Sequence, residues 1–159
     1  GLSPDTWGVG LRDEVVIPIP EFDPGFESYV NLTDETPLLI TGFHYKAHTH
    51  SSYANNEIIQ AAAQHVAWVN PVDAEQRKIK DGDTIRVFND RGEIRIEAKV
   101  TPRVIPGTVA IPQGMWHDAD MNGDRIDHGG NINTLTIYRP SPLAKANPQH
   151  SNIGQIAKA

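Results

Sequence analysis

The 159-residue chain contains no cysteine. This absence excludes disulfides, thiol nucleophiles, and zinc or iron–sulfur sites built on thiolates, and it leaves the redox compartment open. Long apolar runs are also lacking. No stretch approaches the ~18–20 apolar residues of a membrane-spanning helix, and no signal-peptide core is visible at the start. We therefore expect no direct membrane insertion, and any targeting signal to lie outside this sequence.

Positive charge is scarce as well. Fourteen Lys and Arg residues face twenty Asp and Glu residues, for a net charge of −6. A nucleic-acid partner would require a clustered basic surface, so we expect none. An anionic ligand stays possible, because local donors and helix ends bind such ligands whatever the net charge. The chain begins with Gly1 rather than Met, which favours a fragment or a processed chain.

Turn-forming residues are abundant: the chain has 13 Gly and 12 Pro. Together with a hydrophobic content of 38%, they predict a turn-rich, mainly β architecture of one domain. Residues 1–35 are proline-dense and lack a regular period, which predicts an extended arm or linker from a preceding domain. Residues 36–159 are then the folded domain.

Hydrophobic patterning predicts short strands at residues 38–41, 65–69, 84–88, 93–100, 107–112 and 133–138. A helix is expected over 57–64, capped by Asn55 or Asn56 and with one buried face. A short helical turn should follow Pro71, with a cap from Asn70 or Asp73. A tight turn over 80–83 and a hairpin loop over 89–92, with Gly92 at positive φ, separate the middle strands. Many short strands with little helix fit a small closed barrel.

The stretch from Thr41 to Ser52 concentrates polar chemistry directly after a buried strand. It reads TGFHYKAHTHSS and holds His44, His48 and His50, three of the seven histidines. Three interpretations remain open: metal ligation, ordinary surface histidines, and hydrogen bonding to a polar or phosphorylated ligand. Ser51 or Ser52 beside His50 suggests a nucleophile, but neighbouring residues on a strand point apart and no third orienting group is evident. We predict no catalytic residue and no metal ligand.

A polar loop and an aromatic residue follow the strand at 107–112. The spacing of Asp118, Asp120 and Asn122 fits the first half of a calcium loop, but Gly123 and Asp127 do not complete it. Such residues are more often turn formers. Trp116 is either a cap on the core or a wall for a ligand.

Four stretches in order carry a specific resemblance: TGFHYKAHTHSSYAN, WVNPVDAEQRKIKDGDTIRVFNDRGEI, VTPRVIPGTVAIPQGMW and RPSPLAKANPQH. They resemble the carboxy-terminal domain of molybdopterin oxidoreductases of the dimethyl sulfoxide reductase family, above all the catalytic A subunit of the respiratory enzymes. The similarity covers nearly the whole chain from about Val16. It implies a mainly β fold, a six-stranded double-psi β-barrel with a few short helices and an extended N-terminal arm.

The resemblance also implies a cofactor, molybdenum-bis(molybdopterin guanine dinucleotide), shared with upstream domains of the same subunit. Hydroxyls, imidazoles and amides suit the pterin edge and the diphosphate, and glycine permits close backbone approach. The positions implied to contact the cofactor are Thr41, Gly42, His44, His50, Ser51, Ser52, Gly114, Trp116, Asn133, Gln149 and His150.

Three positions depart from the family's usual residues. His48 stands where Arg is common, Asn131 where Cys is common and Ala146 where Gly is common, which suggests a divergent member. The resemblance implies that the whole enzyme reduces dimethyl sulfoxide or a related S- or N-oxide. The resemblance implies an iron–sulfur electron-transfer subunit, a membrane anchor subunit and a periplasmic or membrane-associated location in the bacterial cell envelope. This chain alone is expected to bind and orient the cofactor without turnover. Two alternatives stay open: a stand-alone barrel for protein interaction, and a zinc-dependent hydrolase.

Overall fold

Six strands of the described chain close into a barrel. A computed structural model describes residues 22, 24–25, 27–140, 145–147 and 150–159. The strands are β1 (Leu38–Phe43), β2 (Val66–Val69), β3 (Thr84–Phe88), β4 (Glu93–Val100), β5 (Thr108–Pro112) and β6 (Asn152–Lys158). Their order around the barrel is β1-β5-β2-β4-β3-β6, with β6 pairing back onto β1. The described residues also form two short α-helices, α1 (Glu57–Ala62) and α2 (Pro71–Gln76).

Two parallel strand pairs distinguish this barrel from a simple meander. β1 runs parallel to β5 and β2 runs parallel to β4, while the other four pairings are antiparallel. Parallel neighbours need crossover connections, which here carry the loops and both short helices. The six-stranded double-psi barrel implied by the resemblance is confirmed.

Alternating side chains fill the barrel interior. In β4 the apolar residues Ile94, Ile96 and Ala98 are buried while Glu97 and Lys99 are exposed, as the alternation predicted. Every residue of β5 is buried. A continuously apolar strand is typical of a position covered on both faces. No helix among the described residues has the length and apolar character needed to cross a bilayer.

The predicted helix caps are confirmed at Asn56 and Asn70. The Asn56 side chain accepts hydrogen bonds from the N–H groups of Ile58 and Ile59 at the start of α1. The Asn70 side chain accepts from Val72 N–H, with Pro71 at the first helical position. In both helices the Asn oxygen satisfies donors that have no partner within the helix.

Four sequence predictions were wrong. The segment 133–138 is not a strand: its first part lies in a 3₁₀ turn, Ile132–Leu135, because these two end residues are three apart and both bury on one side. The last strand is β6, which the sequence analysis missed. Helix α1 has no buried residue, and Ile58 is 80% exposed. Gly92 is not among the glycines with positive φ; instead a Cβ there would lie 2.8 Å from the methyl group of Thr134.

Only part of the predicted arm lies within the described residues. Residues 27–35 include a 3₁₀ turn, Tyr29–Asn31, in which the N–H of Val30 donates to the Ser28 hydroxyl. Glu27 is buried against the barrel. The rest of the predicted arm, residues 1–21, 23 and 26, lies outside the described residues.

The buried carboxylate of Asp127 organises the long loop between β5 and the 3₁₀ turn. Its Oδ1 accepts hydrogen bonds from the N–H groups of Asp118 and Gly129, at 2.8 and 2.9 Å. Its Oδ2 accepts from Asn131 N–H at 2.8 Å and from the Thr134 hydroxyl at 3.1 Å. The backbone of Asp127 also ties the loop to β4: its N–H donates to the carbonyl oxygen of Glu93, and its carbonyl oxygen accepts from the N–H of Arg95. With its oxygens used by donors, this residue is a loop former and not a calcium ligand.

His65 packs beside the loop that follows β1, residues 44–52, here called the histidine-rich loop. Its Nε2 lies 3.0 Å from the carbonyl oxygen of Gly130, and its ring lies 6.1 Å from that of Tyr45. Burial lowers the pKa of His65, an effect that the Gly130 carbonyl and Asp127 partly oppose. Burial also raises the pKa of Tyr45, whose hydroxyl donates to the carbonyl oxygen of Ala63.

Replacing Asp127 by Asn should lower the free energy of unfolding by about 2–3 kcal/mol, because an amide N–H₂ group would then face N–H donors in a buried site. Urea unfolding of the chain measures this loss. Asp118→Asn is the matched control, since the Asp118 side chain is exposed and only its backbone N–H enters the network. An equal loss in both variants would contradict the assignment.

Acidification should destabilise the chain partly through His65. Because its folded pKa lies below the ordinary value of about 6.5, the unfolded chain takes up the proton first as the pH falls. The free energy of unfolding should therefore decrease below about pH 6.5, by at most about 1.4 kcal/mol per pH unit from this group. His65→Gln should flatten that part of the profile, whereas the same change at the exposed His117 should leave it unaltered.

Candidate functional site

The loops that follow β1 and β5 meet at one end of the barrel. Because these strands are parallel neighbours, their carboxyl ends lie at the same edge. Thr41 is level with Ala110, and the N–H of Gln113 donates to the carbonyl oxygen of Phe43 at 2.9 Å. The topology therefore brings the predicted 41–52 stretch beside the predicted residues Gly114 and Trp116.

Gly114 brings the two loops into close contact. Its φ is +100°, and a Cβ at this position would lie 1.9 Å from the carbonyl oxygen of His50. A side chain there would both strain the backbone and push His50 away. Glycine at position 114 is thus required by this contact between the two loops, and its predicted contact with the cofactor stays a prediction.

Trp116 makes a second contact between the two loops and lines a pocket. Its indole Nε1 donates to the carbonyl oxygen of Ser51 at 3.0 Å, while 54% of the residue stays exposed. The pocket beside it has a volume of about 370 Å³. Among its lining residues are five of the predicted site residues: His50, Ser51, Gly114, Trp116 and Asn133.

A neighbouring pocket of about 580 Å³ is lined by the histidine-rich loop itself. His44 and His50 are exposed there, with ring centroids 5.7 Å apart. His48 differs, because both of its ring nitrogens are sealed from solvent without a hydrogen-bond partner and its ring lies 4.5 Å from that of Tyr45. The His48 side chain, which stands where the family commonly has Arg, is therefore turned inward against Tyr45.

The remaining predicted residues do not line the two pockets or lie outside the described residues. Gly42 is buried in β1, and its carbonyl oxygen lies 2.8 Å from Nδ1 of His150, which brings His150 to the same end of the barrel. Thr41 lies half-buried in β1, and Ser52 is exposed with its N–H bonded to Thr49. Neither Thr41 nor Ser52 lines the two pockets. Gln149 lies outside the described residues.

The geometry gives no support to the metal or hydrolase interpretations. Within the described part of the chain, no three His, Asp or Glu side chains cluster so as to hold a metal ion. No hydrogen bond joins a serine hydroxyl to a histidine ring among these residues, although a hydrolytic triad would require one.

Sequence reasoning missed several residues of the site. Gln113 is buried and lines both pockets, and Asn131 lines the smaller one. The position of Gln113 could have predicted its place in the site, because it is a polar residue directly after the buried strand β5, just as the stretch 41–52 follows a buried strand. A third hollow of about 860 Å³ adjoins the site. Its described lining contains Lys46, Lys99 and Arg103 and no acidic residue, in a chain of net charge −6.

The arrangement offers imidazoles, hydroxyls, amides and an aromatic wall around concave, partly open pockets. Such a donor set suits a flat polar heterocycle carrying anionic groups better than an apolar ligand. In the adjoining hollow, Lys46 and Arg103 add positive charge that favours anions, whereas the ammonium group of Lys99 is paired with the Asp81 carboxylate at 2.8 Å.

Comparison with curated proteins gives consistent relatives. The chain is 56% identical over 155 residues to "Probable dimethyl sulfoxide reductase chain YnfF" of Escherichia coli K12, covering 97% of this chain and 19% of that protein. It is 52% identical over 154 residues to "Dimethyl sulfoxide reductase DmsA" of the same organism, covering 96% and 19%. "Trimethylamine-N-oxide reductase 1" of E. coli K12 is 34% identical over 142 residues, covering 85% and 16%. The chain thus spans about one fifth of the length of these relatives.

Structural comparison supports the fold. Acetylene hydratase from Pelobacter acetylenicus superposes with a TM-score of 0.76 at 18% identity, covering 94% of this chain and 22% of that one. The family model described as "Molydopterin dinucleotide binding domain" matches residues 38–153, which run from the first residue of β1 into β6. The chain belongs to the molybdopterin dinucleotide binding domain family, as the resemblance of its four sequence stretches implied.

Proposed function

We propose that this chain binds molybdopterin guanine dinucleotide, in the bis form that carries molybdenum, at the barrel end where the loops after β1 and β5 meet. The observation that carries the proposal is the contact of Gly114 with the His50 carbonyl, which joins the two loops into one polar wall. Family membership supports the molybdopterin dinucleotide, and the guanine and bis forms are part of this proposal.

The residues present fit such a ligand. The exposed imidazoles of His44 and His50 and the exposed hydroxyls of Ser51 and Ser52 can donate to phosphate oxygens. The side-chain amide of Asn133 is exposed beside Trp116 and can both donate to and accept from a heterocycle edge. These groups would hold and orient the cofactor without being consumed.

Other residues shape the site around these donors. The backbone of Thr41 and Gly42 forms the strand end that presents the loop, and His150 stays in place through the Gly42 carbonyl. Trp116 offers an aromatic face that can stack on a flat ring and keep water from it. Gln149 belongs to the proposed contact set through the family resemblance.

When bound, the cofactor would supply molybdenum redox chemistry and oxygen-atom transfer, which none of the side chains described can perform. The whole protein is then a reductase of dimethyl sulfoxide or a related S- or N-oxide, used in anaerobic respiration. Relatives that bear such names support this assignment. Residues 36–159 would form the cofactor-binding domain, and residues 1–35 the arm that connects it to upstream domains of the same subunit.

The partners and the location of the whole protein are part of the same proposal. An iron–sulfur subunit would deliver electrons, and a membrane anchor subunit would attach the complex on the periplasmic side of the bacterial membrane. A stand-alone interaction module is the less favoured alternative, because the relatives contain this domain as about one fifth of a larger chain.

Replacing Gly114 by Ala should weaken binding of molybdopterin guanine dinucleotide by about tenfold or more, because the new Cβ overlaps the His50 carbonyl and displaces the loop. Anaerobic titration of the 159-residue chain with the released cofactor, followed by Trp fluorescence, measures the change. Gly82→Ala is the matched control, since Gly82 also has positive φ, at +84°, but open space around it. Equal weakening in both variants would sink the proposed site.

The chain should not reduce dimethyl sulfoxide by itself, because in this proposal the upstream domains of the subunit supply the substrate channel and the protein ligand of the metal, and this chain spans only about one fifth of its relatives' length. The assay mixes purified chain, loaded with cofactor, with a reduced viologen and follows dye oxidation on adding dimethyl sulfoxide. The full-length subunit treated in the same way is the positive control. Turnover by the isolated chain would contradict the division of labour proposed here.

A further inference from the structure

Glu27 is a buried acid outside the barrel strands. Only 8% of the residue is exposed, although it precedes β1 by eleven positions in the sequence. Its two carboxylate oxygens face the two terminal nitrogens of the Arg91 guanidinium, at 2.5 and 2.9 Å. One of these oxygens also accepts the N–H of Ile153 at 2.9 Å. A forked Arg–carboxylate pair of this kind fixes direction as well as distance.

Arg91 connects this acid to two segments of the candidate site. It lies in the loop between β3 and β4, and its Nε donates to the carbonyl oxygen of Leu135 at 2.9 Å. In the same loop, the Asn89 side-chain amide donates to the carbonyl oxygens of Leu135 and Ile153, at 2.9 and 3.1 Å. The loop therefore holds the end of the 3₁₀ turn and the start of β6 together.

These two segments carry predicted cofactor contacts. Asn133 lies inside the 3₁₀ turn that ends at Leu135, and His150 precedes Ile153 by three residues. Gly92 tightens the arrangement, because its missing side chain lets Thr134 pack directly against the β3–β4 loop. The loop thus contacts the turn through both hydrogen bonds and close packing.

If Glu27 were removed, Arg91 would still have one acidic neighbour, Asp90. The guanidinium also lies 3.1 Å from the carboxylate of Asp90, which is 82% exposed at the side chain. Without the buried acid, the cation gains hydration by turning toward Asp90 and solvent, and it then leaves the Leu135 carbonyl. Ile153 N–H would lose its acceptor at the same time.

We infer that Glu27 is a positioning residue for cofactor binding, which acts through Arg91 and Ile153 to fix the segments that carry Asn133 and His150. The inference rests on the proposed function for the role of these two residues. It also assigns the predicted arm a task beyond connection: its buried acid completes the polar network behind the site.

The test uses the 159-residue chain with Glu27→Gln and Glu27→Ala, measured by amide hydrogen exchange. The amides of Thr134, Thr136 and Ile153 should exchange at least about tenfold faster in both variants, whereas those of Val87 and Ile94 in the barrel should stay within about twofold. Arg91→Lys keeps the charge without the forked contact and should reproduce the same local change. Asp34→Asn, an exposed acid of the arm, is the matched control and should change nothing.

The second readout is anaerobic titration with released molybdopterin guanine dinucleotide. Glu27→Ala should raise the dissociation constant by about fivefold or more relative to Asp34→Asn. Uniformly faster exchange across the barrel, or unchanged affinity despite local loosening, would overturn the positioning role while leaving the proposed function standing. Failure of the unaltered chain to bind the cofactor would instead overturn the proposed function, and with it the role of Glu27.

Discussion

The carboxylate of Asp127 is the group on which the loop after β5, the part of the candidate site that carries Trp116, depends. A loop of this length has many backbone N–H groups that cannot enter a strand ladder, and each must find an acceptor or stay in water. One fully buried carboxylate accepts three of them and a hydroxyl. The loop can then turn back on itself closely enough for Gly129 to pass the carbonyl of Trp116, where a Cβ would lie only 2.1 Å away. Trp116 in turn holds the histidine-rich loop through Ser51.

The site is therefore made of loops, but its order comes from buried polar contacts at fixed places. Asp127 accepts hydrogen bonds from within the loop after β5, and Arg91, paired with Glu27, donates to the Leu135 carbonyl at the end of the neighbouring turn. The donors proposed to bind the dinucleotide would benefit from such preorganisation, because less conformational freedom is then lost on binding. Among the residues that the structure describes, no buried carboxylate or guanidinium holds the exposed side chains of His44 and Ser52, and we expect these donors to adapt to the proposed ligand.

Local signals in the sequence were enough for much of the fold. The alternation of β4 and the Asn caps of the two helices were predicted because each depends on neighbouring residues alone. The error at 133–138 arose because hydrophobic patterning suggested a strand, whereas a three-residue spacing in the 3₁₀ turn buries Ile132 and Leu135 together. The barrel type and the closing strand β6 depend on pairings between distant segments, which no local period encodes. The barrel type came from the family resemblance, and β6 was missed.

For the candidate site, residue types next to a buried strand end were the useful signal. They located the stretch from Thr41 to Ser52 and the residues after β5, and the structure brings both to one barrel end. Hydrogen-bond partners were beyond prediction. Nothing in the sequence distinguishes the buried Asp127 from the exposed acids around it, or reveals that the nitrogens of His48 would be sealed away from solvent.

The position of β6 in the barrel bears on how the protein is synthesised. β6 is the last strand in the chain order, yet it fills the gap between β1 and β3 and pairs with both. While the ribosome is still making residues before 152, those two strands are open edges with unpaired N–H and C=O groups, a state that invites pairing with other chains. The barrel can therefore close only after its final strand has emerged.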